Sequence, residues 1–325
     1  MDILNICEQI DFDLIKKRIL QTSTVAWDQK ITNTSLERWL NNFSGEALGD
    51  ADAEKVLAAW LLMNFTYYTE NEVKELCRIV YRNFVHTKLI EDKYKSLDLK
   101  IENKIKLILK HTIFVKLGNP SESGAKLLYD FRIANALPKE VFEEPVDWEK
   151  AISEQKIENI VMIDDVTLSG SQAIEYLNKL PKVPIYTYLL TFFSTPAALG
   201  NIQTKAPSIV PMSAVSLDSR TQLFSDESFV FSNNTCSALK PHILKLCTHY
   251  GEKIVNSELP EAEKYMKKWP LGFCDGQQMF GFYYNTPDNT LPIFWCNSQN
   301  WNAAFLRHPK IYNIEGVEIS DEQYW

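Results

Sequence analysis

The stretch IENIVMIDDVTLSGSQAIEYL, residues 157–177, decides the fold prediction because it joins a buried strand, two acids, a polar loop and a helix. Residues 160–163 form a continuous apolar run, which predicts a fully buried strand. The run ends at Asp164 and Asp165, and a loop of small hydroxyl residues with one glycine follows. Apolar residues at helical spacing begin at Ala173. Two adjacent charges at the end of a core strand need a chemical explanation.

The strands of the predicted sheet are rich in β-branched or aromatic residues; they are TIFVKL (112–117), IENIVMI (157–163), IYTYLLTFF (185–193) and SIVPMSAV (208–215). Helical patterns lie between them. This alternation predicts a mostly parallel sheet with flanking helices, in which ligands bind outside the carboxyl ends of the strands. Gly118 and Asp164 fall at that edge. Near the C-terminus, MFGFYYN and LPIFW flank the turn-rich TPDNT and predict an added hairpin.

Before residue 112 every strong pattern is helical, and no segment resembles a strand. Large aromatic residues recur there at helical spacing and predict the core of a helical bundle. They are Trp39, Phe43, Trp60, Phe65, Tyr67 and Phe84. The predicted fold class is therefore α/β, with a helical N-terminal domain at residues 1–111 and an α/β domain with a C-terminal hood at residues 112–325.

The composition is that of a globular protein, since 45% of the 325 residues are apolar. The net charge of −8 argues against a sequence-independent grip on nucleic acid, although a local basic patch stays open. The six cysteines include no C-x-x-C pair, and we interpret them as thiols of a reducing compartment. No apolar run approaches the ~20 residues that span a membrane, and the acidic N-terminus differs from a signal peptide. We expect a cytoplasmic protein without a membrane segment.

The acidic pair and the loop after it suit a ligand that carries both hydroxyl groups and a phosphate. The carboxylates of Asp164 and Asp165 can accept hydrogen bonds from vicinal hydroxyls or hold Mg²⁺. A helix N-terminus preceded by small hydroxyl residues offers donors to a phosphate, and Gly170 lets the backbone approach it closely. A sugar phosphate is the expected ligand. The alternative, an acidic strand end that only caps the next helix, stays open.

Three other motifs contain parts of this pattern, and the residues argue against each. Phosphatases of the haloacid dehalogenase type need acids two positions apart followed by threonine, whereas these acids are adjacent. A P-loop needs a lysine after its second glycine, and none follows Gly170. Receiver domains carry paired acids after a first strand, whereas this pair lies behind an earlier strand.

Residues 161–171, VMIDDVTLSGS, resemble the signature of the phosphoribosyltransferases at nearly every position: an apolar strand, two acids, an apolar residue and a Thr/Ser/Gly loop. In that family the two acids hold the ribose hydroxyls of phosphoribosyl pyrophosphate, and the loop binds its 5′-phosphate. The resemblance implies a type I phosphoribosyltransferase-like fold, with catalytic and Mg²⁺-binding roles for Asp164 and Asp165. Phosphate binding is assigned in the same way to Thr167, Leu168, Ser169, Gly170 and Ser171.

The family also needs a loop that binds pyrophosphate after an earlier strand. KLGNPSESGAKLLYDFR, residues 116–132, follows the strand TIFVKL at the same edge of the predicted sheet. Backbone amides and basic side chains of this segment are candidates for anion binding: Gly118, Ser121, Ser123, Gly124, Lys126 and Arg132. The alternative, an ordinary turn and helix cap at Asn-Pro-Ser, stays open.

The loop departs from the family pattern at two positions. Purine-salvage members carry an acid at the position of Leu168, where it acts as general base on the nucleobase. Leucine transfers no proton, which favours hydrolysis of an N-glycosidic or pyrophosphate bond, or binding without turnover, over base salvage. Gln172 replaces the usual final Thr or Ser and leaves the loop one hydroxyl short. The five histidines show no ligand spacing, and we interpret them as structural or exposed.

Aromatic and polar residues near the C-terminus suit a hood over a nucleotide, because aromatic rings stack on bases and amides bind their edges. These residues are Tyr284, Asn285, Asp288, Asn289 and Trp295. A tight hairpin turn built from Asn and Asp is the alternative.

A narrower resemblance covers almost the whole chain. The segments ERWLNNF, AAWLLMNFTYYTENEVKEL, LGNPSESGAKLLYDFRIANALP, IVMIDDVTLSGSQ and FYYNTPDNTLPIFW, in that order, are similar to phosphoribosyltransferase-like proteins of bacterial conflict systems, named PRTase-CE. The resemblance implies an effector, or toxin, of antiviral defence, including effectors encoded beside retron reverse transcriptases. It also implies a protein partner, such as a reverse transcriptase complex with its nucleic acid, and leaves a homo-oligomer open.

The expected function is that of an effector that binds Mg²⁺ and phosphoribosyl pyrophosphate or a nucleotide. It would act at ribose C1 or at the attached pyrophosphate, as a transferase or as a hydrolase. The alternative is a non-catalytic sensor of the same ligands that regulates a partner protein. Leu168 favours the sensor, because it leaves the loop without a general base.

Overall fold

A computed structural model describes residue 7 and residues 10–117, 124–154, 156–179, 185–232 and 237–308. The chain forms two compact units, called unit 1 and unit 2 below. Unit 1 combines Met1–Thr69 with Ser219–Trp325, and unit 2 is Glu70–Asp218.

The first segment of unit 1 is mainly helical, with helices α1 (Phe12–Ala26), α2 (Asn33–Leu40) and α3 (Ala51–Met63) followed by strand β1 (Thr66–Tyr68). Short polar side chains determine where these helices begin. Each cap accepts a hydrogen bond from a backbone amide of the first turn, and the caps are Asp11, Thr32 and Asp50.

Unit 2 alternates helices and strands. Its first elements are α4 (Glu70–Ile90), α5 (Asp92–Lys95), α6 (Ile101–Lys110), β2 (Thr112–Lys116), α7 (Gly124–Ala134), a 3₁₀ turn (Lys139–Phe142) and α8 (Trp148–Ser153). The remaining elements are β3 (Asn159–Thr167), α9 (Ser171–Lys179), β4 (Tyr186–Ser194), α10 (Pro196–Lys205) and β5 (Ile209–Ser216).

The chain then returns to unit 1 with α11 (Lys240–Ser257), 3₁₀ segments at Glu261–Lys268 and Phe273–Asp275, β6 (Phe280–Phe282) and α12 (Pro292–Trp295). Both segments of unit 1 share one core. The ring of Trp39 stacks on Phe294 with 5.7 Å between centroids, and its Nε1 donates to the carbonyl of Ile293 at 2.8 Å. The Tyr250 hydroxyl donates to the buried carboxylate of Glu54 at 2.5 Å.

These contacts place the boundaries between units at other residues than the predicted division at 111. The first three helices pack with the C-terminal segment, whereas α4 packs on the sheet of unit 2. Helical periodicity identifies α4 as a helix but carries no information on which core its apolar face joins. The predicted domains at 1–111 and 112–325 therefore differ from units 1 and 2.

The predicted C-terminal hairpin is wrong. The segment MFGFYYN forms β6, which pairs in parallel with β1 from the region where no strand was expected. LPIFW forms α12 instead of a strand, and Pro292 stands at its first turn, where a missing amide donor has no cost. A tight turn does close at Phe282 and Asn285, which exchange backbone hydrogen bonds at 2.9 and 3.1 Å.

The sheet of unit 2 has the strand order β2-β3-β4-β5, and all its pairs are parallel. β3 lies between β2 and β4, so its residues 160–163 are fully buried as the apolar run predicts. The prediction of an α/β protein with a helical N-terminal region and a parallel sheet flanked by helices is confirmed. This architecture is consistent with a phosphoribosyltransferase-like fold.

Helices cover both faces of this sheet. Phe84 of α4 lies 5.9 Å from Phe114 and 5.1 Å from Tyr188, between ring centroids, on one face. On the other face, Ala173 of α9 and Ile202 of α10 join the apolar cluster that the strands form. The carboxyl edge of the sheet, where the strands end, is thus framed by the N-termini of α9 and α10.

Two further findings concern the lengths of the helices and the state of the cysteines. Of the helices in the described ranges, not one combines the length and apolar character that crossing a membrane requires. The described cysteines are free thiols, and burial raises the pKa of Cys77 and Cys247, which keeps both protonated and unreactive.

Candidate functional site

Strand β3 runs through the acidic pair instead of ending before it. Its neighbour β2 ends at Lys116, which pairs with Ile163, so β3 continues beyond β2 from Asp164 onward. There the side chains accept backbone amides: Asp164 Oδ1 from the amide of Asp165 at 3.1 Å, and Asp165 Oδ1 from that of Val166 at 2.8 Å. Both acids are partly exposed at the carboxyl edge.

The two carboxylates leave the strand toward opposite faces of the sheet. The register with β4 keeps one offset from Asn159 to Thr167, so successive side chains alternate without a bulge. Asp164 therefore projects toward the face covered by α9 and α10, and Asp165 toward the face covered by α4. A ligand at this edge can contact one acid from each side of the strand end.

The loop at residues 167–171, called the hydroxyl loop below, is held by three hydrogen bonds from α10 and its N-cap residue Thr195. The amide of Thr195 donates to the carbonyl of Thr167 at 3.1 Å. The Thr195 hydroxyl donates to the carbonyl of Leu168 at 2.8 Å, and Asn201 Nδ2 donates to that of Ser169 at 2.5 Å. Three successive carbonyl groups are thus directed toward one support.

This support orients the amides of the hydroxyl loop. In a trans peptide the N–H points opposite to the C=O of the same unit, and the chain has no cis peptide among its described residues. The amides of Leu168, Ser169 and Gly170 therefore point away from α10. Within the described part of the chain, no group accepts a hydrogen bond from them.

Further donors stand beside these amides at the N-terminus of α9. The Ser169 hydroxyl donates to the Ser171 hydroxyl at 3.1 Å and accepts the amide of Ser171 at 3.3 Å. The amide of Ile174 donates to the carbonyl of Gly170 at 3.1 Å, which joins the loop to the helix. Outward amides, two hydroxyls and the positive end of a helix dipole form an environment that stabilises an anion.

Gly170 is required by the fold itself. Its φ of +74° lies in the left-handed region, which side chains disfavour. A Cβ at this position would lie 2.5 Å from Cγ1 of Ile202 and 2.9 Å from its Cδ1. The glycine therefore lets the loop pack closely on α10, a reason that adds to the expected approach of a phosphate.

The candidate pyrophosphate segment is described only in part. Gly118, Ser121 and Ser123 lie outside the described residues, and Gly124 begins α7. Lys126 Nζ lies 3.0 Å from Oδ1 of Asp130, whose side chain is almost fully buried. The Arg132 guanidinium lies 5.6 Å from the centroid of Tyr129. The pyrophosphate role of these residues stays a prediction.

The residues proposed as a hood make contacts inside unit 1. Asp288 Oδ2 accepts the Tyr265 hydroxyl at 2.7 Å, and Asn285 Oδ1 accepts the amide of His308 at 3.0 Å. Trp295 is buried and donates Nε1–H to the carbonyl of Thr290 at 2.8 Å. These bonds explain Asn285, Asp288 and Trp295 as structural, and covering a nucleotide stays a prediction for the hood residues.

The two carboxylates at the end of β3 fit a Mg²⁺ ion that is bound by few protein ligands. The described residues contain no group of three or more His, Cys, Asp and Glu side chains arranged to hold a metal ion. Mg²⁺ is commonly bound by one or two carboxylates together with substrate phosphates and water, which matches two acids beside an anion-binding loop. Asp164 and Asp165 are the residues that would contact it.

The support of the hydroxyl loop was not predicted from the sequence. Thr195 followed by Pro196 has the pattern of a helix N-cap and first turn, so the start of α10 could be predicted. The contact of Asn201 with Ser169 had no signal in the sequence. Ser194, which pairs with Thr167, was also missed; its hydroxyl is buried and has no partner among the described residues.

A family model described as PRTase-CE matches residues 36–307, which is more than half of the chain. Searches of curated proteins and of solved structures returned no match.

Gly170→Ala is expected to lower the free energy of unfolding by about 1–3 kcal/mol, because it adds both backbone strain and a clash with Ile202. Gly200→Ala is the matched control, since Gly200 lies in α10 and a Cβ added there meets nothing within 4 Å. The control should stabilise the protein by up to about 1 kcal/mol. Urea denaturation measures both; equal stability of Gly170→Ala and wild type would contradict the packing explanation.

Proposed function

The chain belongs to the PRTase-CE family and is a phosphoribosyltransferase-like protein, and on this premise we propose that it binds phosphoribosyl pyrophosphate or a nucleotide and acts at ribose C1 or at the attached pyrophosphate. The observation that carries the proposal is the outward orientation of three successive loop amides beside two carboxylates. Amides bind a phosphate and carboxylates bind hydroxyls, and a phosphorylated ribose contains both groups.

The hydroxyl loop is the proposed site of the 5′-phosphate. It contains no lysine or arginine, so backbone amides, the hydroxyls of Ser169 and Ser171 and the α9 dipole would supply the attraction. Gly170 holds the loop in the required conformation through its positive φ. Such a site recognises the shape and charge of a phosphate through amides and hydroxyls, without a basic side chain.

The ribose is proposed to lie across the end of β3. Asp164 and Asp165 face opposite sides of the strand, so each would accept a hydrogen bond from a different ribose hydroxyl. Asp164 Oδ1 and Asp165 Oδ1 accept the amides of Asp165 and Val166, and Asp164 Oδ2 accepts the Thr167 hydroxyl at 3.5 Å. In this proposal the ribose hydroxyls add to these local bonds.

The proposed chemistry breaks the bond between C1 and its leaving group. The leaving group departs with the bonding electrons through an oxocarbenium-like state, and the two carboxylates hold the ribose in place while positive charge develops. Bound Mg²⁺ would supply positive charge that offsets the charge of a departing pyrophosphate. With water as acceptor, the oxygen bonds to C1 and releases a proton, which gives ribose 5-phosphate and pyrophosphate.

A non-catalytic sensor is the second candidate, and Leu168 is the observation that favours it. This residue occupies the loop position where a general base would stand, and leucine can neither accept nor donate a proton. The protein would then bind the same ligand and change its contacts with a partner.

Incubation with phosphoribosyl pyrophosphate and Mg²⁺, followed by mass spectrometry, separates the enzyme from the sensor. The enzyme proposal predicts new phosphate-containing products; unchanged ligand in the presence of candidate partners supports the sensor.

The proposed setting is antiviral defence, because the resemblance of the sequence is to phosphoribosyltransferase-like proteins of bacterial conflict systems. In this setting the protein is a cytoplasmic effector that acts with a protein partner, such as a retron reverse transcriptase complex.

Cells that carry the intact system are expected to restrict phage, and cells with the Asp164→Asn/Asp165→Asn variant are expected to lose the restriction. Equal plaque counts for the two, at equal protein levels, would contradict a defence role of this site.

The Asp164→Asn/Asp165→Asn variant is also expected to lose Mg²⁺-dependent binding of phosphoribosyl pyrophosphate while its melting temperature stays level or rises. Asparagine keeps a side-chain oxygen for the local amide bonds but removes both negative charges and their mutual repulsion. Calorimetric titration and thermal unfolding of the same variant measure both effects.

Asp98→Asn serves as the control, since Asp98 is an exposed acid of unit 2 in the connection between α5 and α6. It should bind the ligand as the wild type does. If the double variant retained binding and lost stability by about 1–2 kcal/mol, the acids would be caps of the backbone and not a ribose site.

A further inference from the structure

We infer that Thr195 and Asn201 are positioning residues of the ligand site, because they set the direction of the loop amides that bind the phosphate. This inference rests on the proposed function for the identity of the ligand. Its geometric part concerns the protein alone.

The donors of Thr195 and Asn201 act on consecutive peptide units. Thr195 binds the carbonyls of Thr167 and Leu168 through its amide and its hydroxyl, at 3.1 and 2.8 Å. Asn201 binds the carbonyl of the next residue, Ser169, at 2.5 Å. Each bond fixes one peptide plane, and the N–H of that plane is the one directed away from α10.

The N-terminus of α10 is itself held in place by Thr195. The hydroxyl of Thr195 accepts the amide of Ala198 at 3.0 Å while it donates to Leu168, so the helix cap and the loop support are one group. Ile202 fills the space beneath Gly170. The loop therefore takes its conformation from a helix terminus instead of from its own short sequence.

The direction of the loop carbonyl oxygens also determines whether negative charge faces the phosphate. A carbonyl oxygen that faced the ligand would repel a phosphate, since both carry negative charge. Donors on Thr195 and Asn201 hold three such oxygens on the side away from the loop amides. Loss of either donor would free a peptide plane to rotate and bring its oxygen toward the anion.

The test uses neutral substitutions that remove one donor each. Asn201→Leu and Thr195→Val keep side-chain size and add no charge. Thr195→Ser keeps the hydroxyl and should behave as the wild type. Thr204→Val controls for the Thr→Val change on the same helix, because the Thr204 hydroxyl only donates to the carbonyl of Gly200 at 2.8 Å.

Two readouts are measured on each full-length variant. Amide NMR of the free protein reports the conformation of residues 168–170, and calorimetry gives the Kd of phosphoribosyl pyrophosphate. Asn201→Leu and Thr195→Val are expected to shift those amide resonances, leave the rest of the spectrum unchanged, and weaken binding roughly tenfold. Thr195→Ser and Thr204→Val should change neither quantity.

Unshifted resonances in both donor-removing variants would overturn the inference. Shifted resonances with an unchanged Kd would overturn it too, because the loop direction would then not govern ligand binding. If Thr195→Val fails to fold through loss of its cap, Asn201→Leu decides alone. Absence of binding by the wild type would reject the proposed function, and the resonances of the free protein would still decide whether Thr195 and Asn201 position the loop.

Discussion

The hydrogen bonds from Thr195 and Asn201 to the carbonyls of residues 167–169 are the interaction on which the candidate site depends. They connect two segments that leave neighbouring parallel strands, so they form only when β3 and β4 keep their register. The sheet brings the two strand ends together, and the helix terminus then shapes the loop. The anion-binding character of the loop is therefore a property of the sheet edge as a whole.

The acidic pair has a double role at this edge. β2 ends beside Ile163, and beyond this point the two carboxylates accept the backbone amides of Asp165 and Val166. The same carboxylates remain partly exposed and face opposite sides of the strand. A strand end of this kind can hold a polyol from two directions, which a pair of acids on one face of a helix could not do.

Much of unit 2 could be predicted because its signals are contiguous. Apolar runs identified β2 to β5, and the strand, acids, loop and helix of residues 157–177 follow one another without interruption. The support from Asn201 could not be predicted, since only the register of two strands brings it to Ser169. The role of Gly170 was predicted in part: its positive φ was foreseeable in a tight loop, whereas its contact with Ile202 depends on the packing of α10.

The errors concern long-range pairing. β1 is three residues long and lies among helices, so it carries no periodic signal, and its partner β6 belongs to the other end of the chain. LPIFW has the composition of a strand, but Pro292 starts a short helix there. The units also differ from a division at residue 111, because the core of unit 1 is built from both ends of the sequence. Whether a segment forms a helix or a strand depends largely on its local sequence, whereas the segment that it pairs or packs with does not.

The most direct measurement is a crystal structure of the protein with phosphoribosyl pyrophosphate and Mg²⁺. The oxygens of the 5′-phosphate are expected about 3 Å from the amide nitrogens of Leu168, Ser169 and Gly170. The ribose hydroxyls are expected to contact Asp164 and Asp165. A ligand phosphate bound elsewhere, with these amides bonded only to water or protein, would contradict the assignment of the loop as the phosphate site.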